Sequence, residues 1–460
     1  MITLPHELKV IQTLMQPGEP LFLVGGAVRD ALLSRPNQDL DFVCAGDPRI
    51  IGRKLAEKLS GAFFMLDEER NACRVIAKNQ QGGRLVFDFT QIRGQTLKDD
   101  LQERDFTINA MAVDVEKPVE LIDPLHGEQD LKDKWLRPCK ASSFSDDPLR
   151  VIRAIRYSVK YDLKIEPSTL ELLRPAVEDL SSVSRERKRD ELFKILETKK
   201  PWLALEFFDK FNILPQLSLE NLPEIKLSLS RLKFFEALFT RLHEETSGDL
   251  STDFKLNSFG TIFSANRLFL RDRFCQVNQS ERSIQALDCL IALIWDLDET
   301  EGTKVADGLA LSREEQEQIS TSLKYKCCIL DHFSGQRTPD RKFIYRYFQV
   351  LGIAGLDVAV LTLAEAAVNQ VADWNEDRWS ELVLFCHKLI ETWFLNQEYV
   401  NPKLFLTGRD LMFEFDLPQG PRIGQLLDGL REEQAIGSIQ NRTQALAWVD
   451  GQLQKGFISG

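Results

Sequence analysis

The sequence of 460 residues lacks the long apolar runs of a membrane protein. Its most apolar stretch, Leu351 to Val368, is interrupted by Asp357 and Glu365 and falls short of a membrane-spanning segment. No basic segment followed by an apolar one stands at the start, so we predict no signal peptide. We therefore expect a cytoplasmic protein with no membrane partner.

Metal-binding cysteine patterns are missing as well. The eight cysteines form no C-x-x-C pair. The closest two, Cys327 and Cys328, are adjacent and cannot easily ligate one metal together. We expect reduced cysteines that act as small core residues. There is also no Walker-A pattern, no zinc spacing and no His-Asp dipeptide, which argues against a metal-dependent phosphohydrolase domain.

An overall excess of positive charge is absent. The net charge of −12 argues against a protein that coats nucleic acid through bulk attraction. The segment 150–200 is an exception, because it holds thirteen Lys or Arg and only nine Asp or Glu. Charge alone does not distinguish a solvated helix face from an RNA-binding surface, so the surrounding motifs must decide.

The chain divides by pattern into an α/β part and a long helical part. Up to about residue 138, strand-like runs at Leu21–Val24, Leu40–Val43 and Arg84–Thr90 alternate with helical stretches such as Ala27–Ser34. From about residue 146 onward, apolar residues recur at helical spacing. We predict an α/β domain followed by an all-α extension.

The strongest local signal is a glycine turn followed by two carboxylates. The run Gly-Gly-Ala-Val-Arg-Asp occupies 25–30, and Asp39-Leu-Asp41 follows after a short gap. Residues i and i+2 of a strand share a face, so Asp39 and Asp41 repel each other unless a cation lies between them. Two Mg²⁺ ions would suit this oxygen-rich pair and would activate a 3′-hydroxyl and stabilise a leaving pyrophosphate. The glycines, with a helix opening there, would let backbone N–H groups approach a triphosphate.

The two motifs together are far more specific than D-x-D alone. They resemble the nucleotidyltransferase fold of the DNA polymerase beta superfamily, as found in class II tRNA nucleotidyltransferases, which include CCA-adding enzymes and bacterial poly(A) polymerases. The resemblance implies that Asp39 and Asp41 hold the metals. Asp88, in the strand-like run 84–90, is either a third metal ligand or a solvent-facing residue. The residues implied to contact the triphosphate are Gly25, Gly26 and Arg29.

The run Arg-Asp-Phe-Thr-Ile-Asn-Ala at 104–110 resembles another motif of this family. By resemblance, Asp105 and Asn109 hold the ribose and Arg104 supports that site. A carboxylate can accept a hydrogen bond from a 2′-hydroxyl, which a deoxynucleotide lacks, so leaving it unpaired would reject deoxynucleotides. An ordinary capped helix N-terminus is the alternative interpretation.

The run Asp-Asp-Pro-Leu-Arg at 146–150 resembles the family motif E-D-x-x-R, which replaces a nucleic-acid template. Arg150 follows Asp147 by three residues, a spacing that predicts one helix face. Asp147 can accept from the exocyclic amine of cytosine or adenine while Arg150 donates to the ring nitrogen, whereas uracil and guanine present a carbonyl instead of the amine. Asp146 replaces the family's Glu, whose role is to orient the arginine. Acids favoured by the dipole at a helix N-terminus are the alternative.

The remaining resemblance covers a neck and a tail. Residues 183–196 resemble the family's neck helix, and 406–412 with 418–424 resemble the tail that meets the tRNA elbow. RNA phosphates are therefore the expected binding partner of the basic segment 150–200. The arginines expected to make such contacts are Arg153, Arg156, Arg185 and Arg187.

The resemblance predicts four domains and an enzyme that extends tRNA with CTP, ATP or both. The domains are a head over 1–138, a neck over 139–200, a helical body over 201–325 and a tail over 326–460.

Within the family, enzymes that add CC, A, CCA or poly(A) all share the head motifs. Only ten residues, Gly94 to Glu103, lie between Arg93 and Arg104, where CCA-adding relatives have a flexible loop. In the family, loss of this loop accompanies enzymes that add CC and stop, so CC addition is favoured. The acidic C-terminal half and the tail motif disfavour poly(A) addition.

Two alternatives come from other functional classes. A nucleotidyltransferase acting on small molecules would need neither the neck motif nor the helical tail. A non-catalytic RNA-binding relative would be expected to lose Asp39 or Asp41, and this sequence keeps both.

Overall fold

The computed structural model describes residues 7–15, 19–69, 71–79, 82–118, 120–243, 253–333, 338–369 and 375–455. The chain divides into two compact units, Met1–Glu191 and Leu192–Gly460. The predicted order, an α/β head followed by helices, is confirmed. The finer division into four domains stays a prediction.

A seven-stranded mixed sheet forms the centre of the first unit. Its strands in spatial order are β3 (Ala62–Asp67), β4 (Ala72–Lys78), β5 (Arg84–Gln91), β2 (Asp39–Cys44), β1 (Leu21–Val24), β6 (Ala112–Asp114) and β7 (Leu121–Ile122). Strands β2 and β5 pair in parallel, and the other neighbours pair antiparallel. A separate parallel pair joins β8 (Trp135–Leu136) to β9 (Lys164–Ile165).

The helices of the first unit are short. They are α1 (Leu8–Leu14), α2 (Gly26–Leu32), α3 (Pro48–Lys58), α4 (Leu97–Gln102), α5 (Gly127–Asp133), α6 (Ser143–Asp146), α7 (Arg150–Tyr161) and α8 (Pro167–Leu173). Turns of 3₁₀-helix occur at Thr107–Asn109 and Pro175–Ser182.

Helix α3 covers one face of the sheet. A Cβ added to Gly52 of this helix would lie 2.9 Å from Sγ of Cys73 and 3.1 Å from the Phe63 ring, so glycine permits the close packing. Phe42 and Phe89 stack on the same face, with ring centroids 5.0 Å apart. Because side chains alternate along a strand, the carboxylates of β2 and β5 lie on the opposite face.

The second unit is helical. Helix α9 (Arg185–Leu196) runs across the unit boundary, and a 3₁₀ turn occupies Leu214–Leu217. The helices that follow are α10 (Pro201–Lys210), α11 (Ile225–His243), α12 (Phe254–Ile262), α13 (Arg267–Cys275), α14 (Ile284–Leu293), α15 (Glu299–Gly308), α16 (Arg313–Tyr325), α17 (Cys328–His332), α18 (Arg341–Leu351), α19 (Ala354–Val368), α20 (Glu376–Leu395), α21 (Gln397–Val400), α22 (Gly408–Glu414), α23 (Pro421–Ile436) and α24 (Arg442–Gln454).

The last three helices share a hydrophobic cluster that includes Leu411, Leu426, Leu430 and Val449. Across the described residues, no single helix is long and apolar enough to cross a membrane. Helices α18 and α19 reach that length and composition only together, and they are bent by 108° relative to each other.

Candidate active site

The parallel pairing of β2 and β5 brings three carboxylates to one face of the sheet. Asp41 lies opposite Asp88 in the register, and Asp39 lies opposite Val86. The side chains of Asp39, Asp41 and Asp88 therefore project to the face that α3 leaves uncovered. This is the arrangement that the D-x-D spacing predicts for the first two.

Asp41 is a carboxylate whose charge is poorly compensated. Burial raises its pKa to about 6, the Arg104 guanidinium opposes the shift, and the charges of Asp88 and Asp39 add to it. A divalent cation would supply the missing positive charge, and its preference for oxygen ligands fits these side chains. In the part of the chain that the structure describes, no three His, Cys, Asp or Glu side chains form a closed metal cluster. An ion held by Asp39 and Asp41 would complete its coordination with phosphate oxygens and water.

Asp88 is engaged elsewhere. Its two oxygens accept from Nε and Nη2 of Arg74, each at 2.8 Å. Direct ligation of a metal by Asp88 would require this bidentate ion pair to open. The third-ligand role of Asp88 therefore stays a prediction.

Gly25 occupies a position that only glycine fits. Its φ is +72°, and an added Cβ would lie 2.8 Å from Nη1 of Arg104 and 3.5 Å from Oδ2 of Asp41. The glycine therefore brings the backbone close to the carboxylate site. Its own N–H donates to the carbonyl of Met111 at 3.3 Å, so this amide is already engaged. Helix α2, which begins at Gly26, is only two turns long.

Arg29 differs from its expected role. Its side chain is buried, donates to Oδ1 of Asn109 and pairs with Asp30 at 2.9 Å. Its guanidinium also lies over the rings of Tyr157 and Tyr161. In this arrangement Arg29 does not offer the predicted triphosphate contact. Tertiary packing directs its guanidinium inward, where it holds Asn109 in place.

Asp105 is the centre of a buried network. Oδ1 accepts from Nδ2 of Asn109 (2.9 Å) and from the backbone N–H of Phe106 (2.8 Å). Oδ2 accepts from Nε (3.0 Å) and Nη2 (2.6 Å) of Arg153. Burial opposes the charge of Asp105, but Arg153 and Asn109 outweigh it and hold the pKa below its usual value. Asp105 and Arg153 both line the cleft, whereas Asn109 supports them from behind.

Arg156 also differs from expectation. It is buried and donates to Oε2 of Glu191 at 2.7 Å, while Arg153 reaches Oε1 of the same glutamate at 3.2 Å. Arg156 is therefore not placed to meet RNA phosphates. Glu191, which the sequence analysis did not single out, neutralises both arginines. Arg185, by contrast, is exposed.

Asp147 and Arg150 do not share a helix. Asp147 follows the end of α6 in an extended conformation, and α7 begins at Arg150. The one-face expectation is wrong because Pro148 disfavours helical geometry at the residue before it. Both side chains nevertheless line one cleft.

Other groups hold the two base-selection candidates. Nη2 of Arg187 donates to Oδ2 of Asp147 at 2.9 Å. Nη1 of Arg150 donates to Oγ of Ser143 at 2.7 Å, and Nη2 donates to the carbonyl of Glu103 at 2.9 Å. Asp146 pairs with Lys140 at 2.9 Å, so its first partner is a lysine and not Arg150.

A cleft of about 460 Å³ joins these groups. Carboxylates and arginines dominate its wall, as a site for a charged nucleotide and cations requires. The lining residues are Val24, Asp41, Phe42, Asp88, Thr90, Arg93, Glu103, Arg104, Asp105, Asp147, Leu149, Arg150, Arg153 and Arg187.

Comparison with known proteins identifies the family. Residues 21–137 match the model of the poly(A) polymerase head domain, and 162–226 match a probable RNA- and SrmB-binding site of polymerase A. The CC-adding tRNA nucleotidyltransferase of Geobacter sulfurreducens is 31% identical over 433 residues, which cover 92% of this chain and 90% of that protein. The chain belongs to the class II tRNA nucleotidyltransferases.

Relatives within this family differ in specificity. The A-adding tRNA nucleotidyltransferase of Deinococcus radiodurans is 29% identical, with 93% of this chain and 94% of that protein covered. A solved structure of a CCA-adding enzyme in an apo form superposes with a TM-score of 0.67 at 24% identity, covering 97% of this chain and 93% of that one. The structural likeness shows the fold, and the relatives show enzymatic nucleotide transfer to tRNA as the activity of the family.

The connection at Gly94 to Glu103 is a closed turn and a helix. Thr96 and Asp99 form a reciprocal capping box at the start of α4. Asp100 is buried, accepts from the backbone N–H of Arg93 at 3.1 Å and pairs with Arg104 at 3.2 Å. Asp100 thus connects the middle of the segment to Arg93 and Arg104, the residues that flank it.

Proposed function

We propose that this chain adds two cytidines to tRNA lacking its CCA end and then stops. The observation that carries the proposal is the bond from Nη2 of Arg150 to the carbonyl of Glu103. Glu103 directly follows α4, so the arginine expected to read the base is fastened to the short connection itself. Cytosine and adenine differ in size, and accepting the second base requires Arg150 to shift.

The short connection offers little slack for such a shift. Asp99 caps α4 and Asp100 ties Arg93 to Arg104. Gly94 has a φ of +79°, and a Cβ added there would lie 2.7 Å from that of Asp99, so the turn is tightly closed. A pocket made rigid in this way would accept bases of only one size. CTP is the nucleotide that a tRNA end lacking CCA requires first.

The metal site of the proposed reaction is the Asp39 and Asp41 pair. Two divalent ions bound there would activate the 3′-hydroxyl and stabilise the leaving pyrophosphate. Arg104 lies beside Asp41 and limits the repulsion among the carboxylates. Gly25 keeps the backbone close enough for phosphates to reach the same point.

Recognition of the nucleotide falls to the remaining cleft residues. The Asp105 and Arg153 pair faces the ribose, although the four hydrogen bonds that Asp105 accepts mean that a 2′-hydroxyl must displace one of them. Asp147, oriented by Arg187, accepts from the cytosine amine. Arg150 donates to the ring nitrogen of the same base.

The test uses tRNA transcripts that end before CCA, after C and after CC, each incubated with one nucleoside triphosphate. We expect CTP incorporation on the first two transcripts and poor use of ATP on the third. Efficient ATP addition to the CC-ended transcript would refute CC specificity. Failure to use CTP on every transcript would refute the wider proposal.

A further inference from the structure

The carboxylate-bearing face of the sheet remains open beyond Asp88. Following the register outward from Asp41, the side chains in one row are Asp88 on β5, Arg74 on β4 and Phe64 on β3. Phe64 is 47% exposed on this face. Its neighbour Phe63 points the other way, against α3. A large aromatic side chain thus faces solvent in the same row of side chains as Asp41 of the proposed metal site.

The direction of the proposed reaction gives this open face a role. In phosphoryl transfer between two metals, the attacking and leaving oxygens lie on opposite sides of the phosphorus. The glycine turn expected to receive the triphosphate follows β1, which flanks β2 on one side. Strand β5 flanks β2 on the other side, with β4 and β3 beyond it. With the triphosphate on the side of β1, the 3′-hydroxyl would approach from the side of Asp88 and β5.

We propose that the open face of β3, β4 and β5 binds the single-stranded 3′ end of the RNA acceptor. Phe64 lies three strands from Asp41, a distance of about 14 Å at the usual strand spacing. An exposed aromatic ring there offers a base a stacking surface that does not depend on sequence. This inference rests on the proposed function and adds the acceptor side of the same site.

The charges on this face suit a phosphate backbone. Arg74, Lys78 and Arg84 all project to it, and Lys78 lies opposite Arg84 in the register. Asp88 is matched by Arg74. An aromatic side chain interleaved with cations is the combination that binds single strands without reading bases. A protein partner would fit the exposed Phe64 less well, since it would give no role to the positive charge of Lys78.

The first test compares Phe64→Ala with Ile50→Ala. Ile50 is 43% exposed on α3, which packs on the other face of the sheet, so it controls for loss of an exposed apolar side chain. We expect Phe64→Ala to raise the KM for a tRNA that ends after the first C, and so has two unpaired nucleotides, by about tenfold, the scale of one lost base–aromatic stack. The KM for CTP should stay unchanged, and Ile50→Ala should match the parent. Equal KM values for tRNA in all three proteins would overturn the inference.

A second pair of variants tests the role of positive charge on this face. We expect Lys78→Ala to weaken tRNA binding and to flatten its dependence on salt, because fewer counterions are released. Lys58→Ala, which removes the same charge from α3, should change neither. The same loss in both variants, or in neither, would contradict a backbone contact at Lys78.

A crosslink locates the RNA directly. The probe is a tRNA transcript lacking CCA with 4-thiouridine as its last nucleotide, and CTP incorporation is measured on the same transcript. We expect crosslinks within β3, β4 or β5. Crosslinks confined to other segments, with CTP still incorporated, would overturn this inference and leave the proposed function intact. Absence of CTP incorporation would overturn both.

Discussion

Asp41 determines whether the site can hold cations. Its carboxylate is crowded by Asp39 and Asp88, and its pKa is raised to about 6 by burial above all. Replacing Asp39 or Asp41 with alanine should abolish CTP incorporation without lowering the melting temperature, because relieving the repulsion offsets lost contacts. Activity assays with Mg²⁺ and thermal unfolding check the two halves of this prediction.

A control carboxylate is available on a neighbouring strand. Asp114 on β6 should tolerate alanine with near-normal turnover. Near-normal turnover by Asp39→Ala or Asp41→Ala would mean that the metals bind elsewhere.

We propose that Arg150 and Asp147 select the base. Removing either side chain should cost about 1–3 kcal/mol of discrimination between CTP and UTP, the usual value of a good base contact. Arg187→Ala should show a smaller loss of the same kind, since Arg187 only orients Asp147. The measurement is the ratio of kcat/KM for the two nucleotides.

Arg189 provides the comparison for these variants. It lies on α9 near Arg187 and pairs with Asp190. Arg189→Ala should keep the parental ratio. An unchanged ratio in Arg150→Ala and Asp147→Ala would place base selection in other residues.

The position of a side chain could be predicted from the sequence where a local motif sets it, but not where burial sets it. Asp105 and Arg150 line the cleft, and their roles in ribose binding and base selection stay predictions. Arg29 and Arg156 do not, since their charges are used inside the domain by Asn109 and Glu191. An arginine in a motif looks the same in sequence whether its guanidinium faces substrate or core.

At the scale of elements, we propose that the connection between Arg93 and Arg104 restricts the enzyme to one base. A longer, flexible insertion there should release Arg150 from the carbonyl of Glu103 and give measurable use of ATP on a CC-ended tRNA. Nucleotide incorporation by the grafted enzyme checks this. A same-length insertion at Lys117, after β6, is the matched control and should leave specificity unchanged. If neither insertion confers ATP use, rigidity of this connection does not explain specificity.

The elements themselves were largely predictable where patterns are local. The strands β1, β2 and β5 appear within one residue of their expected ends. The edge strand β3 and its neighbour β4 were not predicted. In β3, Phe64 and Leu66 are exposed and break the usual link between apolar character and burial. The break between α6 and α7 follows from Pro148 and cannot be predicted from residue spacing alone.

For the molecule as a whole, a buried acid in the second unit makes stability depend on pH. Asp288 is fully buried, and within the described residues its Oδ2 has no hydrogen-bond partner. Burial and the nearby charge of Asp357 raise its pKa well above the ordinary value, while Arg273 opposes the shift. The folded chain therefore keeps a proton that the unfolded chain loses above about pH 4.

Linkage gives the sign of this effect. Because the folded state binds more protons, the free energy of unfolding should fall as pH rises from about 4 through the raised pKa. Asp288→Asn removes this titration, so its stability relative to the parent should increase with pH. Urea unfolding at several pH values, followed by tryptophan fluorescence, measures it. Glu314→Gln, an exposed change, should run parallel to the parent, and a parallel curve for Asp288→Asn would contradict the assignment.

The central claim is that this enzyme adds CC and stops, and the sequence of the product's 3′ end tests it most directly. A tRNA transcript lacking CCA is incubated with the full-length chain, Mg²⁺, CTP and ATP together, and the products are sequenced. We expect ends that terminate in CC, with ATP present throughout. Products ending in CCA, or in A alone, would contradict it.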